Sequence, residues 1–193
     1  MKRGATREEI IRATQDMIAR NGIRAVRVDE IAQTLGISKR TLYEMFADKN
    51  ELVGACLDEM SHQQRQRIVS CRKRRAGNPL QRMLRLTNEY VDSLYVVESS
   101  FLADIRRKVA FAEHFAEHRR FWLDELTRTL ESCRTEQLLL PEIDAATFAA
   151  RIMNTLLELR LNNAAREELY LFSRTILRGA ATRQGIELID GKH

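Results

Sequence analysis

Residues 28–46 read VDEIAQTLGISKRTLYEMF, two short helices about one glycine. Val28, Ile31, Ala32 and Leu35 form an apolar stripe at helical spacing. Gly36 follows directly, where a helix ends most easily on a residue without a Cβ. Ile37 comes next, then Ser38 as an N-cap, then Leu42, Met45 and Phe46 at helical spacing again. Two helices joined by so tight a turn make a helix-turn-helix, whose second helix enters the DNA major groove while the first braces it across the backbone. Ala32 is small where the helices cross, and Ile37, Leu42 and Phe46 point inward to set their angle. Lys39, Arg40, Tyr43 and Glu44 are left outward on the second helix, with Thr41 near its first turn. These are donors and acceptors of the kinds that read phosphates and base edges. An ordinary solvated helix shows the same mix, so the flanking sequence matters.

Upstream, Thr6 and Glu9 are spaced as a capping box, Ile10, Ile11, Thr14, Met17 and Ile18 recur at helical spacing, and Gly22 ends the run. Downstream, Asp48 and Glu51 form a second capping box and launch a helix through Leu52, Cys56, Leu57 and Met60. Its far end, from Arg65 to Arg75, is basic and reads as solvated. Gly77, Asn78 and Pro79 are a stop, an N-cap and a first-turn proline, the clearest boundary in the chain. Helical patterns follow at Leu80–Leu94, near Ser99–Lys108, at Phe111–Cys133, from Asp144 to Leu159, and after Asn162 and Asn163 through Leu177. No stretch alternates with period two, so the chain is expected to be all-α with about nine helices.

The 193 residues include only two prolines and eight glycines, which favours long helices. At 44% hydrophobic and 31% charged, the composition excludes collagen-like and low-complexity classes. No apolar run is long enough to span a membrane. The start, MKRGATREEII, lacks the unbroken apolar stretch of a secretory signal, so a cytoplasmic protein is expected. Cys56, Cys71 and Cys133 show no metal or redox spacing and read as reduced thiols. Residues 1–75 carry a net charge of +6 and residues 76–193 of −1, which points to a polyanion-binding N-terminal module on a near-neutral body.

Residues 7–53 resemble the N-terminal domain of the TetR family of bacterial transcription regulators. The resemblance is carried by Gly22, Ile31, Ala32, Gly36, Ser38, Thr41, Leu42, Tyr43, Phe46, Lys49 and Leu52. It implies a three-helix DNA-binding domain, here residues 1–48, and a helical effector-binding and dimerisation domain, here residues 49–193. Ser38 and Thr41 are implied to be phosphate ligands near a helix N-terminus. Tyr43 is implied to touch a phosphate or a thymine methyl, Lys49 to clamp a phosphate, and Lys39 to contact phosphate or base. Two positions depart from the family. Arg27 stands where a capping threonine is usual, so that cap is expected to be missing, with the longer guanidinium reaching a phosphate in its place. Arg40 stands where glycine is usual, and a guanidinium there suits guanine O6 and N7, so Arg40 is expected to read a G·C pair. Lys2 and Arg3 offer an additional arm contact.

The same resemblance implies a homodimer through the last two helices, with Phe148, Ile152, Leu156 and Leu159, together with Leu169, Phe172 and Ile176, supplying the apolar stripes. Part of this set is equally suited to its own core. Two recognition helices about 34 Å apart would read a palindromic double-stranded operator. The resemblance further implies an inducer pocket among the middle helices, for which Met83, Thr87, Tyr90 and Phe101, with Phe111, Phe115, His118 and Trp122, are the candidate lining. The expected function is a dimeric repressor released from DNA by a small-molecule effector, with no cofactor, metal or membrane partner. The alternative is a helical interaction module or a regulator without an inducer. An enzyme is the other rival, since His114–His118 reads H-F-A-E-H, the order of one zinc hydrolase motif. No third ligand accompanies it, and phosphate-loop, dinucleotide and nucleophile-elbow motifs are absent, so no enzyme is expected.

Overall fold

The computed structural model describes residues 5–22, 26–73 and 77–191, excluding the side chains at 20, 21 and 71–73. The expected arm at Lys2 and Arg3, the Cys71 thiol and the basic side chains from Arg72 to Arg75 lie outside the described residues. Within them the fold is all-α, with ten helices: α1 Arg7–Asn21, α2 Val28–Leu35, α3 Lys39–Met45, α4 Lys49–Lys73, α5 Pro79–Leu94, α6 Ser99–Arg107, α7 Ala112–Thr135, α8 Ala145–Leu161, α9 Arg166–Gly179 and α10 Arg183–Asp190. A 3₁₀ turn at Val109–Phe111 precedes α7. The expected count of about nine falls short by α10. Thr182 caps that helix on the Gly185 N–H at 3.3 Å, and Gly185, a poor helix former, breaks its sequence pattern. A Cβ at Gly185 would lie 2.3 Å from the Leu138 carbonyl oxygen, so close packing demands the glycine there.

Helix ends follow the local chemistry. Thr6 and Glu9 make the expected capping box, with Oγ1 accepting from the Glu9 N–H at 3.2 Å and the Glu9 carboxylate accepting from the Thr6 N–H at 2.7 Å. Asn78 caps α5 on the Gln81 N–H at 2.9 Å, with Pro79 in the first turn. The box expected at Asp48 and Glu51 is half formed. Asp48 caps the Glu51 N–H at 2.8 Å, whereas the Glu51 carboxylate reaches the Ala47 N–H at 2.6 Å.

The chain packs as two units, Met1–Arg67 with Val96–Ala116, and Ile68–Tyr95 with Glu117–His193. The first unit's core joins Ile10 and Ile18 of α1, Ile31 of α2, Leu42 and Phe46 around α3, and Leu52, Val53 and Cys56 of α4. Val97, Phe101, Ile105 and Phe111 belong to the same core. Each fully buried side chain of this size contributes about 1.5–3 kcal/mol, so α6 and the turn after it are a substantial part of the unit. In the second unit α5, α8, α9 and α10 pack on one another. There Trp122 lies edge-on to Tyr90 at 5.2 Å between ring centres, and the Tyr90 hydroxyl donates to the Met153 carbonyl at 3.3 Å. Burial raises the Tyr90 pKa and keeps that donor protonated. Arg160 donates to the Leu94 carbonyl at 3.1 Å and stacks over Tyr95.

Candidate nucleic-acid interface

The turn between α2 and α3 is built by backbone geometry. Gly36 sits at φ +63°, ψ +31°, a left-handed conformation that glycine adopts without Cβ strain. The Ile37 N–H then returns to the Ala32 carbonyl at 3.0 Å. Ser38 opens α3, its Oγ accepting from the Thr41 N–H at 3.0 Å and sharing a hydrogen bond with Thr41 Oγ1 at 2.9 Å. One hydroxyl proton bridges the two side chains, which leaves the other free to donate outward, toward an acceptor such as phosphate. Leu42 and Phe46 are fully buried and anchor the inner face of α3, while the Arg7 guanidinium covers the Phe46 ring at 4.8 Å.

The outer face carries the expected set. Lys39, Arg40, Tyr43 and Glu44 are all exposed, Tyr43 by 49% although it is a large ring. Lys39 pairs with Asp29 of α2. Arg40 Nε pairs with Glu44 Oε1 at 3.0 Å, with the arginine side chain 89% exposed. Pairs this exposed are worth about 0–1 kcal/mol, less than a charge-assisted bond to phosphate or a bidentate bond to guanine, so neither locks its cation away from DNA. Lys49 begins α4. Its pKa is lowered first by burial and then by the nearby Lys108 ammonium.

Arg27 is the N-terminal flank of α2, and its side chain makes no cap there. It lies 3.8 Å from Glu30 at the surface. Replacing it supplies the missing acceptor, so Arg27→Thr is expected to stabilise the first unit by about 0.5–1 kcal/mol, read as a higher thermal midpoint. An unchanged or lower midpoint would show that α2 needs no side-chain cap.

The other expected sites are distributed as follows. Phe101, Phe111 and Phe115 belong to the first unit, while Met83, Thr87, Tyr90, His118 and Trp122 belong to the second. Met83, Thr87, Tyr90 and Trp122 are buried. Thr87 donates to its own helix at Met83, and His118 accepts from the Trp122 N–H at 3.2 Å. A cleft of about 580 Å³ in the second unit is lined by other residues, among them Glu131, Arg134 and Thr182. His114, the first residue of the H-F-A-E-H run, bonds to Asp58 at 2.7 Å, and no cluster suited to a metal ion occurs among the described residues. On α8 and α9, Ile152, Leu156 and Leu169 are buried in their own unit. Phe148, Leu159 and Phe172 are half-buried and Ile176 is 36% exposed. Leu171, absent from the sequence reading, is 66% exposed. Burial pushes the Cys56 and Cys133 thiols up to about 12, so both stay protonated and unreactive near neutral pH.

Comparison with known proteins agrees with this geometry. Residues 10–56 match the family of bacterial regulatory proteins, tetR family. No curated protein matches the sequence. Among solved structures, a transcriptional regulator from Saccharomonospora viridis in complex with choline superposes with a TM-score of 0.81 at 16% identity, covering 92% of this chain and 98% of that one. A TetR transcription regulator from Haloarcula marismortui gives 0.77 at 18% identity, over 91% and 98%. A TetR family regulator from Agrobacterium tumefaciens gives 0.75 at 18% identity, over 91% and 97%. At these identities the superpositions establish a shared fold, and the family match covers residues 10–56, the segment that holds α2, α3 and the start of α4.

Proposed function

We propose that this chain is a cytoplasmic homodimer that represses transcription by occupying a palindromic operator, and that it is not an enzyme. The observation that carries the reading is α3, a short helix anchored by Leu42 and Phe46 beneath an exposed face of Lys39, Arg40 and Tyr43. Ser38, Thr41, Lys49 and Arg27 bind phosphates and set the register, Lys39 and Tyr43 contact phosphate or base, and Arg40, oriented by Glu44, reads a guanine. Residues 1–48 carry DNA recognition and residues 49–193 serve dimerisation and effector response. The dimer forms through the apolar surface left on α8 and α9 by Phe148, Leu159, Phe172 and Ile176, with Leu171 beside them. Release follows when a small molecule favours a conformation whose two recognition helices no longer match the operator spacing. A protein of this fold in complex with choline supports a small-molecule effector.

A second reading, repression without an inducer, draws on the burial of Met83, Thr87, Tyr90 and Trp122, which fill their own core. Selection of bound fragments from a random duplex pool tests the main proposal. The expected product is a palindrome with half-sites about 10 base pairs apart. Recovery of unrelated fragments with no common element would overturn it.

A further inference from the structure

Arg40 and Glu44 lie one helical turn apart on α3, and Arg40 Nε donates to Glu44 Oε1 at 3.0 Å. Their side chains are 89% and 60% exposed, whereas Leu42 between them is buried. The bond uses one edge of each group. Both Nη nitrogens of Arg40 and Oε2 of Glu44 have no partner among the described residues. The arginine thus offers two N–H donors and the carboxylate an acceptor, placed side by side by the bond that joins them. Glu44 is the one acid of α3. Asp29, which pairs with Lys39, and Glu30, which lies near Arg27, both belong to α2.

A carboxylate on a surface that meets phosphates is repelled by them, at a cost common to every duplex. A base edge offsets that cost only where it presents a donor. Across the major groove a G·C pair presents two acceptors, guanine N7 and O6, and then a donor, the cytosine N4 amino group. The Arg40–Glu44 array, with two donors and then an acceptor, is the complement of that order. An A·T pair presents acceptor, donor, acceptor. It would set an Arg40 N–H against the adenine amino group and the Glu44 oxygen against thymine O4.

We propose that Glu44 determines sequence preference directly: Oε2 accepts from the N4 amino group of the cytosine paired with the guanine that Arg40 contacts, and the carboxylate disfavours pairs without a donor there. The inference rests on the reading of α3 as the DNA-contacting helix and of Arg40 as its guanine reader. It adds a repulsive element to that attractive one. Removing the carboxylate therefore weakens the right site and does not weaken the wrong ones.

The site recovered from the random duplex pool is synthesised with N4-methylcytosine, or with 7-deazaguanine, at each G·C pair of the half-site in turn. N4-Methylcytosine still pairs with guanine through its remaining N–H and carries a methyl where the groove-facing N–H was. At one pair the full-length wild-type protein is expected to bind the N4-methylcytosine duplex about 5-fold more weakly, or worse. Glu44→Ala should bind that duplex as well as the unmodified one. The 7-deazaguanine duplex should weaken both proteins, because both keep Arg40. Glu44→Ala should also hold a mixed-sequence duplex at least as tightly as wild type, so its preference for the selected site falls by about 5-fold or more. Wild-type indifference to N4-methylcytosine at every pair, or equal sensitivity in Glu44→Ala, overturns this inference. Sensitivity to 7-deazaguanine in the same titrations leaves the reading of Arg40 standing. A selected site without a fixed G·C pair overturns the reading of Arg40 and this inference together. Failure of the wild-type protein to bind any duplex overturns the reading of α3 as well.

Discussion

Phe46→Ala is expected to destabilise the first unit by about 3–5 kcal/mol and to take duplex binding with it. The ring is 1% exposed, it lies at the end of α3, and it packs in the same core as Leu42, Leu52 and Phe101. Truncation leaves a cavity under the recognition helix and strips the Arg7 guanidinium of the ring it covers. Against a typical domain stability of about 5–15 kcal/mol, that loss is a large fraction of the total. Tyr43→Ala, three positions earlier and on the outer face, provides the contrast. Surface substitutions of that kind shift stability by about 0.5 kcal/mol or less, so Tyr43→Ala should melt normally and bind DNA weakly. Thermal denaturation of both variants beside duplex titration separates the two effects. A Phe46→Ala protein that melts within 1 kcal/mol of wild type would mean that α3 is held by something other than its inner face.

The second large effect is on recognition. Arg40→Ala should cost about 1–3 kcal/mol on the preferred site, roughly 5- to 150-fold in affinity, and should relax preference at one base pair of each half-site. The exposed Arg40–Glu44 pair sets the balance. Breaking it on binding costs about 0–1 kcal/mol, less than a bidentate guanine contact returns. Losing Arg40 also leaves the Glu44 carboxylate unpaired beside the phosphates. Arg40→Ala with Glu44→Ala should therefore regain part of the affinity and none of the base preference. Methylation of guanine N7 should block wild-type binding at the contacted base and be tolerated by Arg40→Ala. An equal loss on all sequences would reassign Arg40 to the backbone.

The parts of this molecule legible in the sequence are those specified by neighbours along the chain. Gly36, Ser38, Leu42 and Phe46 announce a turn, a cap and an inner face within eleven residues, and each does what its chemistry suggests. The Arg40–Glu44 pair, four residues apart on a helix, was open to the same reading. Contacts between distant segments were not. Nothing near Val96–Ala116 signals that Phe101, Ile105 and Phe111 complete the core beneath α3 and α4. Gly185 hides α10 because tight packing at the Leu138 carbonyl overrides helix propensity. On α8 and α9 the apolar stripe is wider than one face, and periodicity does not divide Ile152 and Leu156, which turn inward, from Phe172 and Ile176, which keep exposed surface.

The central claim, that the solvated side of α3 lies against duplex DNA, is tested most directly by titrating labelled duplex with the purified full chain at low ionic strength, in parallel with a variant carrying Lys39→Ala, Arg40→Ala and Tyr43→Ala. All three side chains are exposed, so the variant should keep its fold. The account predicts saturable binding by the wild-type protein that weakens as salt rises, and its near loss in the variant. Equal binding by the two proteins, or no binding by either, would contradict it.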